Sequence, residues 1–472
     1  MLDQSFSANN FEVIFALENR KGRVDITSMS SEYQGVIADI KEVKSQIRII
    51  CRKRKTERTP EEVSMLDTLN ARMKELKKER SEALIADMNV IAAVVNSNKF
   101  AFEINKHLYE GKEVFTLKES RAAYFAMKQL LHNMKRTFKI EMSSRHQIMT
   151  SLKPLLNMKM PIHIIRTDIS SFFESIPQSD LVKIVYDNNL LSYKSKSFIK
   201  GLLAEYERIK DISLTPTGKG IPRGIGISSM LSEIYMQDVD KILKSRQEVI
   251  YYVRYVDDIF MILTSLGKHK SLNQYYGNLQ AFFQTKGLEL KPVDSEKCKL
   301  INYSPSDALS PIAFDYLGYK LILKKPRKCL VTQYALSNNK ELRIQERIDN
   351  AFTHFETLSK KNVKTARRDL LDSLNYISGN FRLSNSKKHA KAGLYYSNDL
   401  LDDPAELSQF TEYLHTHAIR PYDRLFSSSD KKQEFILRLQ KRILKIDFES
   451  RWKAKKMYDF PISRIKEISS WL

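Results

Sequence analysis

The sequence predicts an α+β protein in which a section with short strands lies between two mainly helical ends. Apolar residues recur at helical spacing within the first hundred positions, and short β-prone runs alternate with helical stretches from about residue 115 to 320. From about residue 326 the pattern is mostly helical and basic. Because 472 residues exceed what one core usually organises, we expect three domains, at residues 1–115, 116–325 and 326–472.

The chain carries a large excess of positive charge, with 78 Lys and Arg against 56 Asp and Glu and a formal charge of +22. Such an excess indicates a polyanionic partner, with nucleic acid first, although a merely basic protein would also show it. No apolar stretch approaches the roughly 20 residues of a membrane-spanning helix. The opening residues lack the basic start and apolar run of a secretory signal. Three cysteines are too scattered for a disulfide framework or a CxxC metal site. We therefore expect a cytoplasmic protein with no membrane partner.

A helical hairpin is predicted near the N terminus. Its first helix is indicated by apolar residues spaced four, three, four and three positions apart, on one helical face: Val36, Ile40, Val43, Ile47 and Ile50. The second helix begins at Thr59-Pro60, where the threonine can cap, the proline fits the first turn and Glu62 can complete a capping box. Its charged face is either solvated or a basic clamp on RNA.

The strongest local feature is a pair of adjacent carboxylates, Asp257 and Asp258, in a very short turn. The turn joins two apolar strand candidates, Val249–Tyr255 and Ile259–Leu263. Crowded carboxylates repel each other and need a cation, and oxygen ligands on a rigid support suit magnesium. Tyr-x-Asp-Asp alone is a weak signal, because short acidic turns are common and mostly solvated.

Two further motifs precede this turn. Asp168 closes a strand candidate, Ile162–Thr167, and either completes a metal site with the turn or caps the next helix. The glycine-rich segment Gly220–Leu231 leads into a helix that begins near Ser228. Glycines permit close backbone approach, and the start of a helix favours anions, so the segment could bind a phosphate. The alternative is an ordinary loop followed by a helix cap.

A further strand is predicted after the acidic turn, at Phe314–Leu323.

In their order, these motifs resemble those of the reverse transcriptases of bacteria and retroelements. The sequence reads Asp-x-x-x-Phe-Phe, Gly-x-Pro-x-Gly-x-x-x-Ser-Ser, Tyr-x-Asp-Asp and Phe-x-x-Leu-Gly-Tyr, with Asp168 lying 89 positions before Asp257. The resemblance implies a right-hand polymerase fold. Residues 116–325 would form fingers and palm with an antiparallel palm sheet. The N-terminal extension and hairpin would join the fingers side, and residues 326–472 would form a helical, basic thumb region.

The same resemblance implies the metal and primer sites. Three residues would be catalytic: Asp168, Asp257 and Asp258. With the Ile169 carbonyl they would hold two Mg²⁺ ions, or alternatively Mn²⁺, of which one activates the primer hydroxyl and the other steadies the leaving pyrophosphate. The primer grip would be Leu317-Gly318-Tyr319.

The nucleotide pocket is also implied by resemblance. Phe173 takes the position of an aromatic gate against the ribose 2′-hydroxyl, which predicts a preference for deoxynucleotides; the alternative is a core phenylalanine. Phe172 is expected in the core, since neighbours on a strand face opposite ways. Arg223 and Gly224 lie in the pocket segment, and Arg223 replaces a glutamine that many family members carry. Its guanidinium either adds charge beside the nucleotide or pairs with a nearby acid.

Basic residues are expected to contact the triphosphate. Arg145 lies in the stretch before Asp168 where the family places such groups, as do Arg136 and Lys139, and each is otherwise a surface charge. Lys297, after Gly287-Leu288-Glu289-Leu290, is similar to a lysine positioned near the pyrophosphate.

The opening of the chain, residues 5–11 and 18–22, resembles bacterial defence-associated reverse transcriptases of the abortive-infection and unknown-group branch. Residues 221–224 and 393–398 add to this, and the opening is most similar to the first reverse transcriptase of the type 3 two-enzyme defence system. The resemblance implies antiphage defence by DNA synthesis from deoxynucleotides on a non-coding RNA template, with a second reverse transcriptase as partner. Oligomerisation is left open. So are template-independent or protein-primed synthesis on the same fold, and a catalytically silent RNA-binding scaffold.

Overall fold

The computed structural model describes residues 2–21, 24, 26–109, 111–157, 160–210, 218–293, 295–303, 311–324, 331–383, 390–419 and 430–472. Its mixture of helices and antiparallel sheets confirms the α+β class. The chain divides into two compact units: unit 1 comprises Met1–Met142 and His163–Asn302, and unit 2 comprises Ser143–Ile162 and Tyr303–Leu472. The expected three-domain division stays a prediction, and its boundary at 325–326 lies outside the described residues.

The helices and strands follow one another along both units. The α-helices are α1 (Ala8–Arg20), α2 (Ser31–Cys51), α3 (Pro60–Asn96), α4 (Arg121–Phe138), α5 (Arg145–Leu156), α6 (Phe172–Ser175), α7 (Gln178–Asp187), α8 (Tyr193–Lys210), α9 (Gly226–Lys244), α10 (Leu272–Gln284), α11 (Asn338–Ser359), α12 (Val363–Ser378), α13 (Ser408–Ile419), α14 (Asp430–Ile443), α15 (Phe448–Lys453) and α16 (Ile462–Trp471). The strands are β1 (Ile104–Tyr109), β2 (Lys112–Leu117), β3 (Ile162–Asp168), β4 (Val249–Tyr255), β5 (Asp258–Leu263), β6 (Lys299–Tyr303), β7 (Ile312–Tyr316), β8 (Tyr319–Lys324), β9 (Val331–Leu336), β10 (Asn380–Arg382) and β11 (Lys391–Gly393). None of the described helices combines the length and apolar character needed to cross a bilayer.

The predicted helical hairpin is confirmed as α2 and α3. The Thr59 hydroxyl accepts a hydrogen bond from the Glu62 N–H at 3.3 Å, and the Glu62 carboxylate accepts from the Thr59 N–H at 3.1 Å, which is the expected capping box. Ile40, Met73 and Leu76 form the core between the two helices. The hairpin thus depends on a small core of its own, and a role on RNA stays a prediction.

Helix α1 was not predicted from the sequence. Its buried residues recur at successive spacings of one, three, one and three positions: Asn10, Phe11, Ile14, Phe15 and Glu18. That spacing is helical, but the basic residues that follow weakened the pattern. The helix adds Phe11, Ile14 and Phe15 to the main core of unit 1.

A four-stranded sheet in the order β4-β5-β3-β6, in which β5 runs antiparallel to both β4 and β3, carries three of the four predicted strands. All five residues of β5 from Ile259 to Leu263 are fully buried. A strand covered on both faces reads as a continuous apolar run rather than an alternating one, which is how this segment reads. The sheet therefore gives a rigid support to the residues at its strand ends.

The run Phe314–Leu323, predicted as one strand, is instead the two strands β7 and β8 of a sheet ordered β7-β8-β9 in unit 2. Leu317 and Gly318 form the turn between them, with φ angles of 46° and 85°. Two consecutive left-handed residues make a tight hairpin turn, so the apolar run reverses direction at the glycine. The turn contains Leu317 and Gly318 of the expected primer grip, whose role stays a prediction.

Candidate active site

The three aspartates lie together in unit 1 at one end of the four-stranded sheet, where β3 ends and β5 begins. Asp168 is the last residue of β3 and is paired directly with Asp258, the first residue of β5. Asp257 lies in the turn just before β5, and its carbonyl accepts a hydrogen bond from the Ile169 N–H at 3.0 Å. The antiparallel register thus joins positions that are far apart in the sequence.

The carboxylates are crowded and largely removed from solvent. Burial raises the pKa of Asp258 to about 6. Burial, and next the nearby charge of Asp168, also raise the pKa of Asp257. The Asp168 side chain is 4% exposed, and its Oδ1 is buried with no hydrogen-bond partner among the described residues. A buried carboxylate oxygen is costly unless a positive charge or a hydrogen-bond donor lies beside it.

Two cationic side chains supply part of that charge. Lys297 Nζ lies 2.6 Å from Asp168 Oδ2, and Arg166 Nη2 lies 3.1 Å from Asp258 Oδ1. The described residues contain no group of three or more His, Cys, Asp and Glu side chains already arranged as a metal cluster. The carboxylates of Asp168 and Asp258 are oriented toward these two cations. Carboxylate oxygens are also the ligands that a divalent ion prefers, and Oδ1 of Asp168 has no hydrogen-bond partner among the described residues. The residues present therefore fit such an ion.

Sequence reasoning missed Arg254, which holds the acidic turn in place. Its side chain is 2% exposed and donates hydrogen bonds of 2.7–3.0 Å to the carboxylates of Glu233 and Asp240 on α9. A further hydrogen bond of 2.7 Å goes to the carbonyl of Val256, which has a φ of 60°. Left-handed backbone is costly for a β-branched residue, so this bond stabilises a strained turn. The signal in the sequence was a lone arginine within an otherwise apolar strand.

The glycine-rich segment packs against the residues that follow β3. The Ile221 N–H donates to the Phe173 carbonyl at 2.8 Å. Arg223 forms two hydrogen bonds with the Glu174 carboxylate, at 2.9 and 3.1 Å, and its guanidinium carbon lies 5.4 Å from the centre of the Phe173 ring. Hydrogen bonding to Glu174, together with the more distant charge of Asp257, raises the pKa of Arg223. Of the two interpretations of Arg223, pairing with a nearby acid is the one the structure displays.

Gly224 allows this segment to approach β2 closely. Its φ is +104°, and a Cβ there would lie 2.6 Å from Val114 Cγ1 and 2.7 Å from the Phe115 carbonyl. The Phe115 N–H donates to the Arg223 carbonyl at 2.7 Å. Only glycine fits this position, since both the backbone conformation and the space exclude a side chain.

The two adjacent phenylalanines lie in the short helix α6, not on a strand. Phe172 is 2% exposed and belongs to the core of unit 1, whereas Phe173 is partly exposed beside Arg223. The residue that precedes α6 is Ser171, so Asp168 does not cap this helix. The capping alternative for Asp168 is therefore not what the structure displays.

The predicted triphosphate contact Arg145 and the predicted primer grip, residues 317–319, belong to unit 2. Arg145 is the first residue of α5, and it lines a cavity together with Leu317 and Tyr319 from the β7–β8 hairpin. Gly318 lies between these two in the hairpin turn. Of the other basic candidates, Arg136 belongs to unit 1 and donates to the Leu2 carbonyl at 2.9 Å.

Residues 118–321 match the family model described as reverse transcriptase (RNA-dependent DNA polymerase). The matched range includes the three aspartates, the glycine-rich segment and the β7–β8 turn. The match assigns the catalytic class and fold: the chain is an RNA-directed DNA polymerase with an α+β polymerase fold. Enzymes of this family use divalent metal ions. No curated protein sequence matches the chain.

Solved telomerase structures are similar to the chain at low identity. Apo telomerase from Candida tropicalis is 12% identical, with 100% of this chain and 89% of that chain covered and a TM-score of 0.36. Telomerase from Candida albicans in complex with a TWJ fragment of telomeric RNA is 11% identical, with 74% and 62% covered and a TM-score of 0.33. At such TM-scores these likenesses carry no argument about this chain.

Proposed function

We propose that the chain copies an associated non-coding RNA into DNA by two-metal phosphoryl transfer, in the cytoplasm of bacteria, as part of antiphage defence. The proposed phosphoryl transfer is supported by the strand register, which pairs Asp168 with Asp258 and leaves Asp257 in the adjoining turn. The excess of positive charge supports a nucleic-acid partner. The defence role is supported by the resemblance of the opening residues, which also suggests a second reverse transcriptase as partner.

In this proposal the three aspartates hold the reaction centre. Two divalent ions bound there, preferably Mg²⁺, would activate the primer hydroxyl and stabilise the leaving pyrophosphate. Asp168, Asp257 and Asp258 would hold these ions, and the Ile169 carbonyl would be a further ligand. Arg166 holds the Asp258 carboxylate in a fixed orientation at 3.1 Å. Lys297, whose Nζ lies 2.6 Å from Asp168 Oδ2, would exchange that carboxylate for a phosphate oxygen.

The nucleotide would be selected by the residues that follow Asp168 and by the glycine-rich segment. Phe173 would face the sugar and exclude a 2′-hydroxyl by its bulk. Glu174 holds the Arg223 guanidinium near this ring, so that Arg223 positions the gate and adds positive charge beside the nucleotide. Leu317, Gly318 and Tyr319 are proposed as the primer grip.

The test uses the purified full chain with its co-purifying nucleic acid, labelled deoxynucleotides and Mg²⁺. We expect labelled DNA, its loss in the Asp257→Ala, Asp258→Ala double variant, and its loss after ribonuclease pretreatment. The control variant Glu61→Ala, Asp67→Ala removes two exposed carboxylates from the hairpin and should leave synthesis unchanged.

The other outcomes separate the alternatives. Product that persists in the double variant would contradict the proposed centre. Product that is lost in the double variant but resists ribonuclease would indicate template-independent or protein-primed synthesis. Absence of product in the unaltered chain, with RNA still bound, would indicate a silent scaffold.

A further inference from the structure

Unit 2 contains a cavity of about 660 Å³, and of its lining residues the proposed function uses only Leu317 and Tyr319. Its walls come from the start of α5, the β7–β8 turn, one face of α11, the end of α12 and residues 392–399. The volume lies within the roughly 300–1,000 Å³ that small-ligand sites occupy. It is large enough for more than a bare inorganic ion.

The cavity is strongly cationic. Its described lining residues include four basic side chains, Arg145, Lys340, Arg343 and Arg347, and a single carboxylate, Asp399. That carboxylate is already engaged, because its Oδ2 lies 3.3 Å from His146 Nδ1.

The two arginines on α11 stand one helical turn apart and therefore share a face. Neither Arg343 nor Arg347 forms a hydrogen bond or ion pair with any described residue. Lys340 donates only to neutral groups, the Ser397 carbonyl at 2.9 Å and Asn398 Oδ1 at 2.6 Å. The positive charge of this face is therefore uncompensated within the described part of the chain.

Burial and mutual repulsion destabilise the charged forms of Lys340 and Arg347 in this cavity. Burial, and next the charge of Arg145, lower the pKa of Lys340 to about 8. Burial and the neighbouring Arg343 likewise lower the pKa of Arg347. Cations that are buried without counter-ions favour the binding of an anion, since the anion would offset both burial and mutual repulsion.

Aromatic side chains flank the cations. Tyr376 lines the cavity and stacks on Phe381, with ring centres 4.4 Å apart and planes at 20°. Lys340 Nζ lies 4.5 Å from the centre of the Tyr319 ring, and Tyr396 lines the cavity from the segment 392–399. Aromatic faces beside basic groups are the pattern by which proteins bind single-stranded nucleic acid, with bases on the rings and phosphates on the cations.

We propose that this cavity binds the terminal phosphate monoester of a single-stranded nucleic acid, with Arg343 and Arg347 on the phosphate and Tyr376 or Tyr396 against the adjoining base. A monoester carries about −1.5 to −2 charges at neutral pH, against a single charge for an internal phosphodiester. Four cations around one engaged carboxylate match the larger charge. The proposal goes beyond polymerisation and rests on the proposed function only in taking nucleic acid as the ligand.

The test measures binding of the full chain to short single-stranded oligonucleotides by fluorescence anisotropy. The oligonucleotides carry a phosphate or a hydroxyl at one end and the dye at the other, and both polarities are compared. We expect the phosphate to tighten binding roughly tenfold or more, as a charge-assisted bidentate contact would. In the Arg343→Ala, Arg347→Ala variant this preference should disappear. The slope of log affinity against log salt for the phosphorylated strand should also become shallower, by about 0.7 for each phosphate charge that the variant no longer neutralises.

The control variants separate the pocket from general charge. Lys360→Ala, Lys361→Ala removes the same charge from exposed positions just after α11 and should leave the phosphate preference intact. Asp257→Ala, Asp258→Ala should also retain it, so a failed polymerase and a failed end-binding site are told apart. Arg343→Lys, Arg347→Lys keeps the charge but loses the planar fork, and should reduce the preference without abolishing it. This variant serves if the alanine variant does not fold.

Several results would overturn the inference. One is equal binding of phosphate-ended and hydroxyl-ended strands by the unaltered chain, and another is an undiminished preference in the Arg343→Ala, Arg347→Ala variant. Competition by free nucleoside monophosphate as strong as by the phosphorylated strand would assign the site to a free nucleotide. Equal competition by a phosphate-free acidic peptide would assign it to a protein partner.

Discussion

Among single residues, Arg254 connects the acidic turn to α9. Its buried guanidinium joins β4 to two carboxylates of α9 and to the backbone of Val256. The hydrogen bond to the Val256 carbonyl holds the turn that presents Asp257. A sequence pattern identifies the aspartates but not this support, because Glu233 and Asp240 reach Arg254 only after α9 packs on the sheet.

Replacing Arg254 by Ala should lower the free energy of unfolding by about 3–5 kcal/mol, because the partly buried carboxylates of Glu233 and Asp240 would lose their cationic partner. Chemical denaturation followed by circular dichroism measures this. Arg72→Ala, on an exposed face of α3, should give no measurable change. An unchanged midpoint for the Arg254 variant would show that the buried network contributes little.

Phe173 is proposed to select the sugar of the incoming nucleotide. Phe173→Ala should reduce the ratio of deoxynucleotide to ribonucleotide kcat/KM roughly tenfold or more, since the ring no longer excludes the 2′-hydroxyl. Single-nucleotide incorporation assays with both substrates measure the ratio. Phe172→Leu should lower the free energy of unfolding but leave this ratio of kcat/KM values unchanged, as expected for a core residue. Unchanged selectivity in the Phe173 variant would contradict the gate.

The raised pKa of Asp258 links stability to pH and to metal. Without metal the folded state holds this proton more tightly than the unfolded chain, so the carboxyl stabilises the fold at low pH and that contribution is lost as the pH rises through about 6. A divalent ion competes with the same proton. Mg²⁺ should therefore raise the Tm more at a pH well above that value than well below it. The effect should vanish in Asp257→Asn, Asp258→Asn, and a pH-independent Mg²⁺ effect would argue against binding at these carboxylates.

At the scale of elements, patterns that are local in the sequence were predicted well. The β4–β5 hairpin follows from two apolar runs around an acidic turn, and the start of α3 follows from the Thr59–Glu62 capping box. The run Phe314–Leu323 was misassigned as one strand, because apolar alternation continues through a turn formed only by Leu317 and Gly318. Periodicity does not reveal a reversal that leaves the pattern unbroken.

The glycine-rich segment depends on one residue for its position against β2. Gly224→Ala should lower the free energy of unfolding by about 1–3 kcal/mol through backbone strain, before the clash with Val114 is added. It should also raise the KM for deoxynucleotides, because Arg223 and Phe173 would shift together. Gly277→Ala, on an open face of α10, should be neutral or slightly stabilising. Equal stability of the two variants would contradict the close approach.

For the whole molecule, the sequence predicted that the three aspartates lie together but not how the other candidate site residues are distributed between the two units. Lys297 and Arg223 belong to unit 1 with the aspartates, whereas Arg145 belongs to unit 2 and lines its cationic cavity. The order of the motifs along the chain predicts which residues the fold brings together on one sheet. It does not predict that Glu174 pairs with Arg223, 49 positions away, because that contact depends on tertiary packing.

A double-variant cycle on Asp168 and Asp257, measured by single-nucleotide primer extension, tests whether the two carboxylates form one reaction centre. If the two carboxylates form one centre, Asp168→Asn and Asp257→Asn should each reduce kcat/KM by about a thousandfold or more, and the double variant should be no worse than either single one. Substantial activity in Asp168→Asn, or losses that simply multiply in the double variant, would contradict a shared centre.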